Sequence, residues 1–260
     1  MIPSITSASN DRIKLVRALQ TQAKTRRREG KIVLEGVRLI NDALAVGSVP
    51  DFVLYTSELT NTGRALLARF KELHVTCFEV SDELMTTIAD TDTPQGFLAV
   101  VPTPQITLSE TPSLLLLLDG VADPGNMGTI LRTAASVGVD MVVLLPGCVD
   151  VFSPKVLRSA MGAHFRVGLV NKTWDQVAAS YPTLPLYVAD AGGTQPYYTV
   201  DWKQPAGLVI GGEARGANSQ AYNAAQAVLS IPMKEDAESL NAAIATAVIL
   251  FECKRQRDLG

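Results

Sequence analysis

The sequence predicts an α/β protein of two unequal domains, and three observations predict it. Strand-like and helix-like segments alternate along the whole chain, the pattern of packed α/β layers. Residues 102–113, PTPQITLSETPS, hold three prolines, three threonines and two serines without periodicity, which reads as a linker. Beyond it lie short continuous apolar runs, which suit parallel strands buried on both faces. The expected division is a smaller α/β sandwich over residues 1–101, a linker over 102–113 and a larger domain with a parallel sheet over 114–260. A length of 260 residues agrees with two domains.

The elements follow in order. Ile13, Val16 and Leu19 recur at helical spacing. KIVLEG is a strand-like run ending at Gly36, and GVRLINDALAVG reads as a helix closed by Gly47. FVLYTS, HVTCFEVS and FLAVV read as strands, with helical patterns around Leu66 and Leu84. After the linker, SLLLLLDG, MVVLLPG, LPLYVAD and GLVIGG are the buried parallel strands, with helical patterns between them. The last segment places Leu240, Ala243, Ile244, Ala247, Val248 and Phe251 on one helical face. Lys254, Arg255 and Arg257 suit its C-terminal end.

Composition narrows the class. With 47% hydrophobic and 19% charged residues, disorder, collagen and a disulfide scaffold are excluded. A net charge of −3 and a pI near 5.5 argue against a strongly basic, histone-like binder. That charge is uneven. Residues 1–40 hold nine basic and three acidic groups, a balance of +6, which leaves −9 for the rest. Such an arm is a footprint for a polyanion, with Lys24, Arg26, Arg27, Arg28 and Arg38 as candidate phosphate contacts; a solvated helix face accounts for the same charges. Cys77, Cys148 and Cys253 are far apart with no CxxC, so neither a disulfide nor a zinc site is expected. The N-terminal segment lacks the apolar stretch of a signal peptide. The longest apolar run, residues 242–251, is too short to span a bilayer. The expectation is a cytoplasmic protein without a membrane partner.

Three segments carry candidate chemistry. In LLLLLDGVADPGNMGTILRTAASVG a buried strand meets a glycine-containing loop and then a helix, the place where open α/β sheets bind ligands. Asn126 falls near the helix start and Arg132 within it; an Asn cap and a surface arginine fit as well. In AGLVIGGEARGANS a strand runs into Gly211, Gly212 and Gly216, and glycine permits close approach of a ligand to backbone. The spacing is not GxGxxG, so a dinucleotide is not indicated. Glu213 can hold a ligand or fix an arginine. In LSIPMKEDAESLNAA, Ile231-Pro232-Met233 closes a short strand, and Ser239 and Asn241 open the last helix, where a Ser cap is the plain alternative.

Taken together, N-x-G-x-x-x-R-T, then G-G-E-x-x-G, then I-P-M with S-L-N at the final helix resemble the three motifs of the SpoU/TrmH family, RNA ribose 2′-O-methyltransferases of the SPOUT class. The resemblance spans Leu114 to Arg257. T-S-x-x-N-x-x-I-K and V-L-E-G-V-R-L-I in the first domain are similar to that family's L30e-like substrate-binding domain. The resemblance implies S-adenosylmethionine held in a trefoil knot, with Leu208, Ile210, Gly211, Ile231, Met233, Ser239 and Leu240 around it. It implies catalytic positions at Asn126, Arg132, Glu213, Ser239 and Asn241, with no metal. It implies a homodimer through the C-terminal domain, one subunit completing the other's site. The two-domain form points to 23S ribosomal RNA, with tRNA as the alternative and a non-enzymatic RNA binder of the same fold as a further one. Arg132 is left between a base and a phosphate clamp. His74 and His164 match no catalytic position, and Arg158 and Arg166 are divided between RNA phosphate and plain surface.

Overall fold

The structure is a computed structural model and describes residues 3–213, 215–234 and 239–259. Ala214 of the second motif lies outside the described residues. Contacts divide the chain into two units: Met1–Pro104 with Phe152–Phe165, and Gln105–Val151 with Arg166–Gly260.

The first unit holds β1 (Ser4–Ile5), α1 (Asp11–Thr21), α2 (Ala23–Glu29), β2 (Lys31–Glu35), α3 (Val37–Ala45), β3 (Phe52–Tyr55), α4 (Asn61–Glu72), β4 (Thr76–Val80), α5 (Asp82–Ile88) and β5 (Phe97–Pro102). It also takes the later helix α7 (Pro154–Ala160). The sheet order is β1-β4-β3-β5-β2. Strand β5 runs antiparallel to β2 and β3; the other pairs are parallel. Because side chains alternate along a strand, the sheet buries two faces. Val33, Leu54, Leu98 and Val100 meet α1 through Ile13, Val16 and Leu19, and α5 through Leu84 and Ile88. Leu34, Val53, Phe97 and Ala99 meet α3 and α4 on the other side. Leu157 and Phe165 belong to this second core. That is why residues 152–165 group with the first unit, although the sequence reading assigned everything after 113 to the second.

The second unit comprises β6 (Leu114–Asp119), α6 (Pro124–Val137), β7 (Met141–Leu144), β8 (Gly168–Asn171), α8 (Trp174–Ser180), β9 (Leu186–Ala189), β10 (Gln195–Pro196), β11 (Ala206–Gly211), α9 (Ser219–Ala224), β12 (Ala225–Ser230) and α10 (Ala242–Asp258). Its sheet order is β10-β12-β9-β11-β6-β7-β8, and every pair is parallel. All six residues of β6 are buried, as a central parallel strand covered on both faces requires. Leu115, Leu117, Val188 and Val209 pack with Trp174 and Val177 of α8. Helices α6 and α10 pack on each other, and α10 on β11. The short strands β1, β8 and β10 escaped the sequence reading; β8 is only half-buried and shows no continuous apolar run.

Helix α10 departs from its expected face. Buried are Ala243, Thr246, Ile249, Leu250 and Cys253, while Ile244 is 54% and Phe251 53% exposed. The helix is apolar on two sides. Its neighbours cover one and leave open part of the stripe that the periodicity picked out.

Candidate active site

A parallel sheet gathers the carboxyl ends of its strands at one edge. In the second unit this brings together the loops after β6, β9, β11 and β12. Between the last three lies a cavity of about 530 Å³. Of the sequence-predicted cofactor residues, Ile210, Gly211, Ile231, Met233, Ser239 and Leu240 line it. Leu208 does not: it is fully buried and pairs with Leu116 and Tyr187 in the middle of the sheet. Two residues short of Ile210, it is too far from the strand end.

The glycines are there for the chain itself. A Cβ on Gly211 would sit 2.2 Å from the backbone of Gly216 and Ala217, and one on Gly212 would sit 2.2 Å from the carbonyl oxygen of Gly120. The Gly212 N–H donates to the Asp119 carbonyl at 2.9 Å, and the Asn218 N–H donates to Asp119 Oδ2 at 2.7 Å. The glycine pair thus lets the loop fold back on itself and against the β6 loop. Close approach to a ligand was the sequence-based reason; close approach of backbone to backbone is the observed one.

Three polar motif residues form one chain of hydrogen bonds. Helix α10 is capped by Asn241, whose Oδ1 accepts from the N–H groups of Ala243 and Ile244 at 2.9 and 3.3 Å. That use of the oxygen leaves Nδ2 as the donor, and it donates to Asn126 Oδ1 at 3.0 Å. The Asn126 amide therefore has its Nδ2 free to donate, and it meets Glu213 Oε1 at 2.6 Å. The cap fixes the polarity of the whole chain. Neither plain capping alternative holds for the other two residues. The cap of α6 is Asp123, whose Oδ1 accepts from Asn126 N–H at 2.8 Å. Ser239 precedes the Asn241 cap and lines the cavity.

Arg132 stands apart. It is exposed on α6, six residues and about 9 Å along the helix from Asn126, and its guanidinium has no hydrogen-bond or ion-pair partner among the described residues. Asn126 is spent on Glu213 and Asn241, not on orienting Arg132. Arg215 and Arg166 are also exposed. Arg158, by contrast, is ion-paired with Asp90. His164 is buried beside Phe152, with ring centroids 5.5 Å apart, and His74 is exposed.

Sequence reasoning missed Asp190 and Tyr222. Asp190 follows β9 and lines the cavity. It accepts from the Gly192 N–H at 2.7 Å and from the Tyr222 hydroxyl at 2.5 Å. The hydrogen bond to Asp190, aided by burial, pushes the Tyr222 phenol up to about 12. An acidic residue after the strand-like run LPLYV was the one signal available for this pair.

One prediction for the basic arm fails. Arg26 is buried, and its Nη1 donates to the Gln20 carbonyl at 3.1 Å and to that of Leu19. It closes the carboxyl end of α1 and is not available to phosphate. Lys24, Arg27, Arg28 and Arg38 are exposed; Arg28 is ion-paired with Glu29 at 2.8 Å.

Comparison with known proteins gives the family and the fold. The profile of the SpoU rRNA Methylase family matches residues 113–251. The chain belongs to this family. A second profile, the MRM3-like substrate binding domain, matches residues 10–99 of this SpoU-family protein. The mitochondrial rRNA methyltransferase 3 of Mus musculus is 34% identical, over 94% of this chain and 72% of its own. The 23S rRNA (guanosine(2553)-2′-O)-methyltransferase RlmP of Bacillus subtilis is 30% identical, over 96% of this chain and 98% of its own. Among solved structures, the SpoU methyltransferase AviRb from Streptomyces viridochromogenes in complex with AdoMet superposes with a TM-score of 0.83 at 30% identity, covering 96% of this chain and 100% of that one. The fold is therefore that of the SpoU methyltransferases, with the SpoU domain preceded by a substrate-binding domain. The motif residues that the resemblance named are brought together here, Arg132 and Leu208 excepted.

Proposed function

We propose that the protein is an S-adenosylmethionine-dependent methyltransferase that modifies a ribose 2′-hydroxyl of 23S ribosomal RNA. The observation that carries this is the hydrogen-bonded chain Asn241–Asn126–Glu213 beside the cavity. The cavity suits the cofactor. Its volume of about 530 Å³ lies in the range of small-molecule sites. Its walls combine apolar Ile210, Leu229, Ile231 and Leu240 with two carboxylates, Asp190 and Glu213, which suits a partly apolar molecule carrying positive charge. Ile210, Ile231 and Leu240 would hold its apolar parts and Asp190 a hydroxyl or ammonium group. When bound, S-adenosylmethionine supplies an electrophilic methyl group on a sulfonium that departs as a neutral thioether.

The chain's own residues then have to bring a weak nucleophile to that methyl and manage its proton. Of the five motif side chains, Glu213 alone is a carboxylate able to accept a proton at neutral pH. Asn126 holds one of its oxygens and leaves the other for the ribose. Arg132 has five donors and no acceptor, so it acts as a clamp on phosphate that also stabilises the developing alkoxide, not as a base. Ser239, at the cavity wall, offers a hydroxyl to the ribose or the cofactor.

Arg132 also supports the homodimer we propose. Its guanidinium is unpaired among the described residues, and Ile244 and Phe251 expose an apolar stripe along α10 on the unit that carries the site. A second copy covering that stripe would give Arg132 a site to complete. We infer that the second unit contains a trefoil knot, a reading supported by the family and by the packing of Gly212 on Gly120. The substrate assignment to ribosomal RNA rests on relatives matched across both regions of the chain. No helix among the described residues is long and apolar enough to cross a membrane; the cytoplasm is the compartment we propose, by analogy with the bacterial relative.

The test is methyl transfer from labelled S-adenosylmethionine to unmodified 23S rRNA and tRNA transcripts, followed by mapping of the modified ribose. Label in 23S rRNA supports the reading, and label in tRNA alone replaces the substrate. No transfer to either RNA by protein that binds the cofactor overturns it.

A further inference from the structure

The first unit contains a cleft of its own, of about 250 Å³. It is formed by the start of α3 (Gly36, Arg38, Leu39, Asp42), the loop before β5 (Thr91, Thr93, Gln95) and the end of α7 (Arg158, Met161).

Its walls are held in place. The Glu35 carboxylate accepts from the Asp90 N–H at 2.9 Å and from the Thr91 hydroxyl. Asp90 in turn pairs with Arg158, which ties the loop to α7. Gln95 Oε1 accepts from the Val37 N–H at 3.3 Å, at the start of α3. Gly36 has φ +92, and a Cβ there would stand 3.0 Å from that same oxygen, so glycine lets the amide lie across the helix start. Met161 has φ 49, a left-handed conformation usually left to glycine at a helix end. His74 is the other non-glycine residue with positive φ among the described residues. A long apolar side chain is thus kept at the cleft in spite of the steric cost.

Several groups in the cleft are uncommitted. With Oε1 spent, the Gln95 amide presents Nε2 as a donor. The Asp42 carboxylate, the Arg38 guanidinium and the Thr93 hydroxyl have no hydrogen-bond or ion-pair partner among the described residues. Donors and acceptors thus stand beside the apolar Leu39 and Met161. A phosphate does not suit the interior, because Glu35 and Asp42 would repel it. The edge of a base, with its own donors and acceptors, and its flat apolar face suit both kinds of wall, and a thioether packs well on an aromatic ring. Arg38, exposed, remains for the adjoining phosphate, as do the exposed Lys24 and Arg27.

We propose that this cleft receives one unpaired nucleobase of the RNA substrate. Asp42 and Gln95 read its edge, and Leu39 and Met161 lie against its face. The proposal rests on the RNA-methyltransferase reading above and adds a second RNA contact, remote in sequence from the methyl-transfer motifs.

The test uses the full chain, a 23S rRNA transcript and fixed salt. The double variant Asp42→Ala, Gln95→Ala is expected to bind the transcript about tenfold more weakly, as loss of base-edge hydrogen bonds predicts, while binding S-adenosylmethionine in calorimetry as wild type does. Since Gln95 also steadies α3, Met161→Gly is the control. It relieves the left-handed backbone and keeps or raises Tm, yet should weaken RNA binding severalfold. In a transcript carrying 4-thiouridine, crosslinks are expected on residues 91–95 or 158–161. Wild-type RNA affinity in both variants, or crosslinks that avoid these segments, overturns the cleft alone. A wild type that neither binds nor methylates the transcript overturns the RNA reading, and the cleft with it.

Discussion

In the second unit every strand pair is parallel, so the carboxyl ends of β6, β9, β11 and β12 open on one edge. In the first unit β5 runs against both its neighbours, and the loops divide between two edges. The parallel sheet concentrates its polar loop residues in one place, and two of them, Asn126 and Glu213, follow a strand-then-glycine pattern in the sequence. The mixed sheet must build a binding surface from a helix start, a loop and a segment borrowed from residues 152–165. Where chemistry collects therefore depends on strand direction as much as on residue type.

The sharpest way to break this contrast is to place the same methyl-sized intrusion in each unit. Gly211→Ala puts a Cβ 2.2 Å from backbone atoms of Gly216 and Ala217, which cannot yield as a side-chain end can. Cofactor affinity should fall at least about a hundredfold, matching overpacking of roughly 3 kcal/mol, and Tm should drop. Gly63→Ala in α4 meets only ordinary contacts at 3.4–3.5 Å. In a helix it should stabilise by about 0.5–1 kcal/mol. Calorimetry and thermal melts read both. Equal effects at the two glycines would show that the loop after β11 is not the tight structure described.

Next in size is Arg132→Ala. Removing one donor that stabilises developing charge costs about 10²–10³ in kcat. Because Arg132 does not line the cavity, cofactor affinity should be unchanged. Single-turnover methyl transfer and calorimetry separate the two. A wild-type rate would remove Arg132 from the mechanism. Glu213→Gln differs in kind: it keeps an acceptor oxygen for Asn126 but removes the proton acceptor, so lost turnover should accompany an unchanged Tm.

These expectations also show how far the sequence was legible. Most strands of both sheets, β1, β8 and β10 excepted, are visible as apolar runs because buried central strands need unbroken apolar sequence. Asn126, Glu213 and Asn241 were visible as motif members, although their mutual hydrogen bonds were not. The Asp190–Tyr222 pairing, 32 residues apart with no shared motif, was invisible because only the packing of α9 on β9 brings it together. Arg26 misled for the opposite reason. Three consecutive arginines look alike in sequence, yet α2 turns one of them toward the end of α1 and two toward solvent.

That difference within α2 can be measured. Arg26→Ala frees the carbonyls of Leu19 and Gln20 from a buried partner and should cost about 1–3 kcal/mol, seen as a lower Tm. Arg27→Ala should leave Tm nearly unchanged and reduce by about one the slope of log affinity for RNA against log salt. If Arg26→Ala changed the slope and not the stability, Arg26 would belong to the RNA surface after all.

The smallest expected effect lies at the residue pair that the motifs did not mark. Tyr222 donates to Asp190, so Tyr222→Phe leaves that carboxylate with one fewer donor at the cavity wall. The loss of about 1 kcal/mol corresponds to about fivefold weaker cofactor binding. The sign of the pH effect follows from the raised phenol. Its folded value of about 12 exceeds the ordinary value of 10, so the interaction contributes fully below pH 10 and is lost as the pH rises through 12. Burial also raises Tyr55, Tyr181 and Tyr187, so ultraviolet titration of the folded protein should show several tyrosines ionising after the exposed ones, and Tyr222→Phe should remove the latest step. If the latest step survives the substitution, Tyr222 is not the donor holding Asp190, and the carboxylate at the cavity wall is positioned by the Gly192 N–H alone.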